Sequence, residues 1–317
     1  MYAPPREVDL LILGAGWTST FLIPLCAARD VTYAATSRPE HRKPDTIAFE
    51  FDENDKHPDL GQFIRLPWAR TVLVTFPIRV PGAAARLVSL YEQTHGGKGD
   101  KAAWIQLGST GIWDGGPTLR GIPVTTPPKR DTVWYDRYTP FDKTNARAAA
   151  EDELLALSPD TPTTVLNLCG LWGGPRAVKN YIGRVAPTKE ILRAKTSVHW
   201  MHGEDVARAI LAVHDRFAEA IGQRWMLTDV RVYDWWDLAA AWGSEDIKDE
   251  GVVVKEGKIA SKVGPGAKGP HPRWVRELMN EAGVRTLPRT VDELGKGFDS
   301  REFWNTFGLE PIMTRLE

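Results

Sequence analysis

The amino-acid sequence predicts an α/β fold, in which a doubly wound parallel sheet carries helices on both faces and a smaller C-terminal lobe follows. Three observations predict it. Apolar runs of strand length recur along the first two thirds of the chain, stretches compatible with one helix separate them, and a glycine-rich turn directly follows the first run. Such alternation is typical of a parallel sheet covered by helices.

The first apolar run, Val8 to Leu13, is the pattern of a strand buried on both faces. It lies in an uncharged stretch, Leu10 to Ala28, that is long enough to cross a membrane. That stretch contains Gly14, Gly16 and Pro24, and acidic residues mix with the basic ones before it. The segment therefore predicts a strand, a turn and a helix instead of a signal peptide or a membrane span.

The turn Gly14-Ala15-Gly16-Trp17-Thr18-Ser19 matches the dinucleotide-binding pattern G-x-G-x-x-G, except that Ser19 stands at the third glycine. The first glycine makes the turn, the second lets the backbone approach a pyrophosphate, and the third position needs only a small side chain. The helix that follows would direct its free N–H groups at the phosphates. We therefore expect Gly14, Gly16, Trp17, Thr18 and Ser19 to bind a dinucleotide; a plain turn between strand and helix is the alternative.

The second predicted strand, Val31 to Ala35, leads to Ser37 and Arg38, where an NAD-specific site usually has an acidic residue for the ribose 2′-hydroxyl. Arg38 suits a 2′-phosphate, because guanidinium groups bind phosphate oxygens in pairs. Further basic side chains follow at His41, Arg42 and Lys43. The sequence therefore predicts NADP(H) as the cofactor, bound in part by Ser37 and Arg38; a solvated basic loop is the alternative.

Further strands are predicted at the spacing of a parallel sheet: Thr46 to Phe51, Arg70 to Thr75, Ala103 to Leu107, Thr196 to Met201 and Arg224 to Thr228. The first of these runs ends at Asp52. We count Thr75, at the end of the next run, among the cofactor-binding residues.

The segment from Gly108 to Asp114 reads G-S-T-G-I-W-D and resembles the S-T-G-V-Y-G segment of the extended short-chain dehydrogenase/reductase family, in its epimerase-like branch. Val165–Gly173 and Val198–Ala207 resemble later motifs of the same branch. The resemblance runs from about Val8 to about Leu227. It implies a Rossmann fold with a bound nicotinamide dinucleotide and a C-terminal region that builds the substrate pocket.

The resemblance also implies roles for single residues. Asp52 would lie near the adenine amino group, and Ser109 stands at the position of the family's catalytic serine. Ser109 is expected at the C-terminal end of a strand, where ligands bind in open α/β sheets. A serine that only caps a turn is the alternative.

The family's Tyr and Lys, four residues apart on one helix, are missing. The predicted helix runs from Asp142 to Glu151 and carries Lys143 where the Tyr belongs and Arg147 where the Lys belongs. Arg147 keeps donors that could hold the nicotinamide ribose. Lys143 could serve as an acid or base if it faces the site, or it is an ordinary exposed residue. Tyr138 is the next candidate for a displaced proton donor, and Tyr135 is a second, less favoured one. For both tyrosines, packing is the alternative.

Composition narrows the class of partner. The 317 residues include 40 basic and 41 acidic ones, which excludes a nucleic-acid-binding surface that relies on excess positive charge. The two cysteines form no C-x-x-C pair, which favours a reducing compartment such as the cytoplasm. His199 and His202, three apart on a predicted strand, would face opposite sides and share no metal. The 13 tryptophans suggest an aromatic-walled cleft for an apolar or aromatic small molecule.

Together these observations predict an NADP-binding core over residues 1–165. Residues 166–317 would add the last strands and the substrate lobe in one compact unit. The predicted function is NADP-dependent oxidoreduction of a carbonyl-like group, with Ser109 polarising the oxygen, Arg147 holding the ribose, and Tyr138 or Lys143 moving the proton. Two alternatives stay open: a non-catalytic NADP-binding sensor, for which the missing Tyr and Lys argue, and an isomerase, epimerase or cyclase. No membrane attachment is expected, and the sequence leaves open whether the chain forms a homodimer.

Overall fold

The computed structural model describes residues 6–96, 101–113, 133–247 and 268–316. Its strands are β1 (Glu7–Leu13), β2 (Tyr33–Ser37), β3 (Ile47–Ala48), β4 (Trp68–Val74), β5 (Ala103–Ser109), β6 (Trp134–Tyr135), β7 (Thr163–Leu168), β8 (Gly170–Trp172), β9 (Ser197–Val198), β10 (Trp200–His202), β11 (Gln223–Leu227), β12 (Tyr233–Asp234) and β13 (Gly297–Phe298). Seven strands form one parallel sheet in the order β11-β7-β5-β4-β1-β2-β3. The order reverses between β1 and β4, so the predicted doubly wound α/β fold is confirmed.

The helices are α1 (Ser19–Ala28), α2 (Leu60–Ile64), α3 (Ala83–His95), α4 (Ala146–Leu155), α5 (Ile182–Val185), α6 (Lys189–Arg193), α7 (Gly203–Asp215), α8 (Trp235–Trp242), α9 (His271–Ala282), α10 (Val291–Leu294) and α11 (Arg301–Phe307). Helices α1, α7 and α11 cover one face of the sheet, and α3 and α4 cover the other. Alternate residues of β1 point to the two faces of the sheet. Leu10 and Ile12 pack on the side of α1, α7 and α11, and Leu11 and Leu13 pack on the side of α3 and α4. Burial on both faces explains the unbroken apolar run in the sequence.

The C-terminal half builds a second core away from the sheet. There β8 pairs with β10, β9 pairs with β12, and α8 packs against α9. Its buried side chains include several tryptophans, Trp172, Trp200, Trp235, Trp236 and Trp274. These rings pack against one another and against aliphatic side chains. The chain then returns to the sheet, where α11 packs against α7 and β11.

Two elements differ from the sequence prediction. The third strand covers only Ile47–Ala48 instead of Thr46 to Phe51, because its neighbour β2 ends at Ser37. Helix α4 begins at Ala146 instead of Asp142, because Asn145 caps it: its side-chain oxygen accepts hydrogen bonds from the backbone N–H groups of Arg147 and Ala148. Asp142 accepts from the N–H of Thr144 at 2.8 Å and so belongs to the turn before the helix.

The predicted strand from Thr196 to Met201 is divided into β9 and β10, which pair with different partners. Asp114, at the end of the motif that begins at Gly108, lies outside the described residues.

Candidate functional site

Gly14 makes the sharp turn between β1 and α1, and two neighbouring strands hold it in place. Its φ of +98° favours glycine, and a β-carbon there would lie 2.6 Å from the Thr75 hydroxyl oxygen. That hydroxyl donates to the Gly14 carbonyl at 2.7 Å, while the Gly14 N–H donates to the hydroxyl of Thr36 at 3.0 Å. Thr75, expected among the cofactor residues, therefore fixes the turn that would hold the phosphates.

The next part of the turn is open towards solvent. A β-carbon on Gly16 would meet only the Gly14 carbonyl oxygen, at 3.9 Å. Within the described part of the chain, no group accepts a hydrogen bond from the backbone N–H of Trp17, Thr18 or Ser19. These groups lie at the start of α1, where the helix dipole is positive, and the geometry therefore suits an anion.

Trp17, Thr18 and Ser19 place their side chains differently. The Trp17 indole N–H donates to the carbonyl of Gly173 at 3.0 Å, which ties the turn to the loop after β8. Thr18 and Ser19 are buried. The Ser19 hydroxyl has no hydrogen-bond partner among the described residues. A small residue at this position lets α1 pack closely on the sheet.

The residues predicted for the adenosine end lie after β2 and β3. The buried Ser37 hydroxyl bonds with the Thr46 hydroxyl at 2.6 Å and accepts from the Lys43 N–H at 3.0 Å, so it shapes the basic loop from within. Arg38 is exposed at the end of β2, and its guanidinium makes no hydrogen bond or ion pair with any described residue. Asp52 is exposed and accepts from the backbone N–H of Asn54 at 2.8 Å.

Ser109 ends β5, at the edge of the sheet to which the phosphate turn also belongs. Its hydroxyl oxygen accepts from the Gly111 N–H at 3.1 Å, so the turn-capping geometry is present. The hydroxyl hydrogen is then free to point elsewhere. The Ser109 carbonyl accepts from the Asn167 side chain at 3.1 Å, and its N–H donates to Glu151 at 3.3 Å. Such a serine can donate a hydrogen bond to a ligand oxygen.

Arg147 lies on the first turn of α4 beside β5. Its Nη2 donates to the Leu107 carbonyl at 2.9 Å, and its Nε lies 3.4 Å from Glu151. Burial lowers the pKa of Arg147, and the charge of Glu151 opposes that shift. Together with Ile78 and Gln106, Arg147 lines a small depression. A guanidinium has five N–H donors, so several remain for a ligand.

A buried polar network under Ser109 was not identified from the sequence. Glu151 is 2% exposed, and its second oxygen accepts from the Asn167 amide at 2.8 Å and from Arg224. Arg224 also donates to the Asn167 oxygen at 3.1 Å and to Asp152 at 2.9 Å. Asn167 and Arg224 interrupt apolar strand runs, and such polar residues within buried strands are the signal that could have revealed the network.

The two predicted proton donors lie in exposed contacts. Lys143 precedes α4, its side chain is 70% exposed, and its ammonium bonds with Asp152 at 2.7 Å. It does not share a helix turn with Arg147. Tyr138 is 66% exposed, and its hydroxyl donates to Glu302 at 2.9 Å. Neither side chain hydrogen-bonds to Ser109 or Arg147, and Tyr135 is buried.

The two histidines have separate structural contacts. Buried His199 accepts from the Phe298 N–H at 2.9 Å and stacks on that ring. Burial, together with Lys296, lowers its pKa to about 3. The Nδ1 of His202 accepts from the Glu204 N–H at 3.2 Å and so caps α7. Within residues 6–96, 101–113, 133–247 and 268–316, no three His, Cys, Asp or Glu side chains gather into a possible metal site.

A buried acid lies just beyond β11, and no pattern in the sequence indicates it. Asp229 accepts from the Tyr233 hydroxyl at 2.6 Å, and burial raises its pKa to about 7. Cys169 follows β7, and burial raises its pKa, as does the charge of Asp229. Both groups lie beyond the C-terminal ends of adjacent strands, on the side where Ser109 ends β5.

Comparison with known proteins yields matches in structure alone. No family model matches the sequence, and no curated protein gives a significant match. A protein from Methylobacillus flagellatus described as an NAD-dependent epimerase/dehydratase is 15% identical, with a TM-score of 0.55, over 97% of this chain and 94% of that chain. The UDP-Glc/GlcNAc 4-epimerase from Campylobacter jejuni is 10% identical, with a TM-score of 0.56, over 98% and 96%. Vestitone reductase from alfalfa is 14% identical, with a TM-score of 0.50, over 95% and 99%.

At these identities the likeness establishes the fold. The chain has the Rossmann fold of the extended, epimerase-like short-chain dehydrogenases/reductases, and the resemblance inferred from its motifs is confirmed at that level. None of the described helices is both long and apolar enough to span a membrane.

Proposed function

We propose that the protein binds NADP(H) and is an oxidoreductase acting on a carbonyl-like group of an apolar small molecule. The observation that carries the proposal is the turn from Gly14 to Ser19. It combines the open space at Gly16, three backbone N–H groups that donate to no described residue, and the positive end of α1. Two proteins of the same fold are described, one as an NAD-dependent epimerase/dehydratase and the other as a reductase, in keeping with a nicotinamide dinucleotide.

The preference for NADP(H) over NAD(H) rests on the end of β2. Arg38 is exposed there and pairs with none of the described residues, and positions 37 and 38 carry no acidic residue to bind a free ribose 2′-hydroxyl. A guanidinium binds phosphate oxygens in a bidentate manner. Arg38 is therefore the proposed ligand of the 2′-phosphate, with Asp52 on the adenine side.

At the other end of the proposed site, the dinucleotide would supply or accept a hydride. Ser109 would donate its hydroxyl hydrogen to the substrate oxygen, since its oxygen already accepts from Gly111. Arg147 would hold ribose hydroxyls with the N–H groups that Leu107 and Glu151 leave available. Glu151 positions both residues, because its carboxylate accepts from the Ser109 N–H and lies beside the Arg147 guanidinium.

The source of the proton belongs to the same proposal. To reach the substrate oxygen, Lys143 would have to leave Asp152, and Tyr138 would have to leave Glu302. Substitution of each residue tests whether it transfers the proton. We expect Lys143→Met and Tyr138→Phe to lower turnover at least about tenfold if one of them carries the proton. Unchanged turnover in both variants would assign proton transfer to another group.

The first experiment is calorimetric titration of the purified protein with NADPH and with NADH, followed by NADPH oxidation assays with ketones, aldehydes, imines and enones. We expect NADPH to bind more tightly and at least one carbonyl class to be reduced. Binding without turnover across the panel would support the sensor instead. If neither nucleotide binds, the proposed function is wrong.

A further inference from the structure

Arg176 lies over the ring of Trp17, two residues before the start of α1. Its guanidinium carbon is 4.4 Å from the centre of the Trp17 ring. Two backbone hydrogen bonds between Gly173 and Arg176, of 3.0 and 3.1 Å, close the turn that carries it. The Trp17 indole donates to the Gly173 carbonyl, so this turn is fastened to the start of α1. The position of Arg176 is therefore built by several contacts.

The electrostatics of this position are unfavourable for the protein alone. The start of a helix carries partial positive charge, which disfavours a nearby cation. Among the described residues, no carboxylate pairs with Arg176, although most buried or half-buried guanidinium groups have such a partner. Arg176 and the start of α1 thus both favour an anion, and a ligand bound beside Trp17 would interact with both.

The start of α1 contains polar groups that have no hydrogen-bond partner among the described residues. The N–H groups of Trp17, Thr18 and Ser19 are not accepted within the described chain. The Ser19 hydroxyl is buried and unpartnered in the first residue of the helix. A β-carbon on Gly16 would find open space. These observations point to a ligand with several negatively charged oxygens.

We propose that Arg176 binds the pyrophosphate of the dinucleotide from the side opposite the glycine-rich turn, with Trp17 positioning its guanidinium. The inference rests on the proposed function, because it assigns a further residue to that cofactor site. The two phosphates are then held between backbone N–H groups below and a planar cation above.

The test is calorimetric titration of the wild-type protein, Arg176→Ala, Arg176→Lys and Arg29→Ala. Arg29 is exposed at the far end of the same helix, so Arg29→Ala removes the same charge without touching the turn. We expect Arg176→Ala to lower the affinity for NADPH at least about tenfold and Arg176→Lys to lower it less. Arg29→Ala should change the affinity less than about twofold.

Fragments of the cofactor locate the contact. Arg176→Ala should weaken 2′-phospho-ADP-ribose, which keeps the pyrophosphate, as strongly as it weakens NADPH. It should leave the affinity for adenosine 2′-monophosphate unchanged. Equal NADPH affinity in Arg176→Ala and wild type overturns the inference while the proposed function stands. An equal loss in Arg29→Ala also overturns it. If the wild type binds neither NADPH nor NADH, the proposed function itself fails.

Discussion

The hydroxyl oxygen of Thr75 lies 2.7 Å from the carbonyl oxygen of Gly14, in the space that a side chain at position 14 would occupy. The end of β4 thus determines the shape of the turn after β1. Glycine at position 14 is required by the protein itself, whereas glycine at position 16 meets no such restriction. The two glycines can therefore be separated by experiment.

Gly14→Ala should destabilise the fold. The variant combines a positive φ with a contact of 2.6 Å to Thr75, and we expect a loss of about 3 kcal/mol in the free energy of unfolding. Gly82→Ala is the matched control, because Gly82 has a φ of +79° but no atom within 4 Å of its added β-carbon. Its expected loss is about 1 kcal/mol. Urea denaturation measures both, and equal losses would show that Thr75 does not matter.

Gly16→Ala should affect binding and spare stability. The added methyl group meets only the Gly14 carbonyl oxygen, at 3.9 Å, so we expect the free energy of unfolding to change by less than about 1 kcal/mol. A phosphate approaching the backbone would collide with it, and NADPH affinity should fall at least about tenfold. Urea denaturation and calorimetry test the two expectations. Unchanged affinity would mean that no phosphate approaches Gly16.

Arg38→Gln should lower the affinity for NADPH about tenfold to 100-fold and the affinity for NADH less than about threefold. The reason is that only NADPH has the phosphate that Arg38 would bind. Arg29→Gln, which removes an exposed arginine at the end of α1, is the control for net charge. Binding isotherms for both nucleotides give the ratio of the NADPH affinity to the NADH affinity in each variant. Equal weakening of both would contradict the assignment of Arg38 to the 2′-phosphate.

Glu151→Ala should be strongly destabilising. It removes a buried carboxylate and leaves Arg224 and Asn167 without their shared acceptor, at an expected cost of about 3–5 kcal/mol. Glu219→Ala breaks an exposed pair with Arg216 and should cost less than about 1 kcal/mol. Chemical denaturation compares the two variants. A small loss in Glu151→Ala would show that the network adds little to stability.

His199 should make the fold sensitive to acid. Burial lowers its pKa from 6.5 to about 3, so between these values the unfolded chain binds a proton that the folded chain does not. Stability from this group is complete near neutral pH and is lost as the pH falls towards 3, by about 1.4 kcal/mol per pH unit. His199→Gln keeps an acceptor for the Phe298 N–H and should reduce the slope by that amount.

The slope is measured by urea denaturation at several pH values between about 6 and 4.5. Asp229 acts in the opposite direction, because its raised pKa of about 7 means that the folded chain binds the extra proton. Asp229 contributes equally to the pH dependence of the unfolding free energy in the wild type and in His199→Gln. The difference between their slopes therefore reports His199, and identical slopes would contradict its lowered pKa.

The sequence predicts those parts of the molecule that depend on nearby residues. The strand before Gly14, the turn and the start of α1 follow from local apolar runs and glycine spacing. The contacts of Glu151 do not, since Asn167 lies 16 residues away and Arg224 lies 73 residues away. The start of α4 was missed because Asn145 caps the helix later than the family pattern implies. That shift removed the expected helical pairing of Lys143 with Arg147.

The path of the chain also has a consequence for engineering. The tryptophan-rich second core is built from two segments, one between β7 and α7 that includes Trp172 and Trp200, and one between β11 and α11 that includes α8 and α9. After each segment the chain returns to the core of the large sheet, through α7 and through α11. An exchange of this second core between proteins of this fold would therefore need four junctions, one after Leu168, one before Gly203, one after Leu227 and one before Arg301.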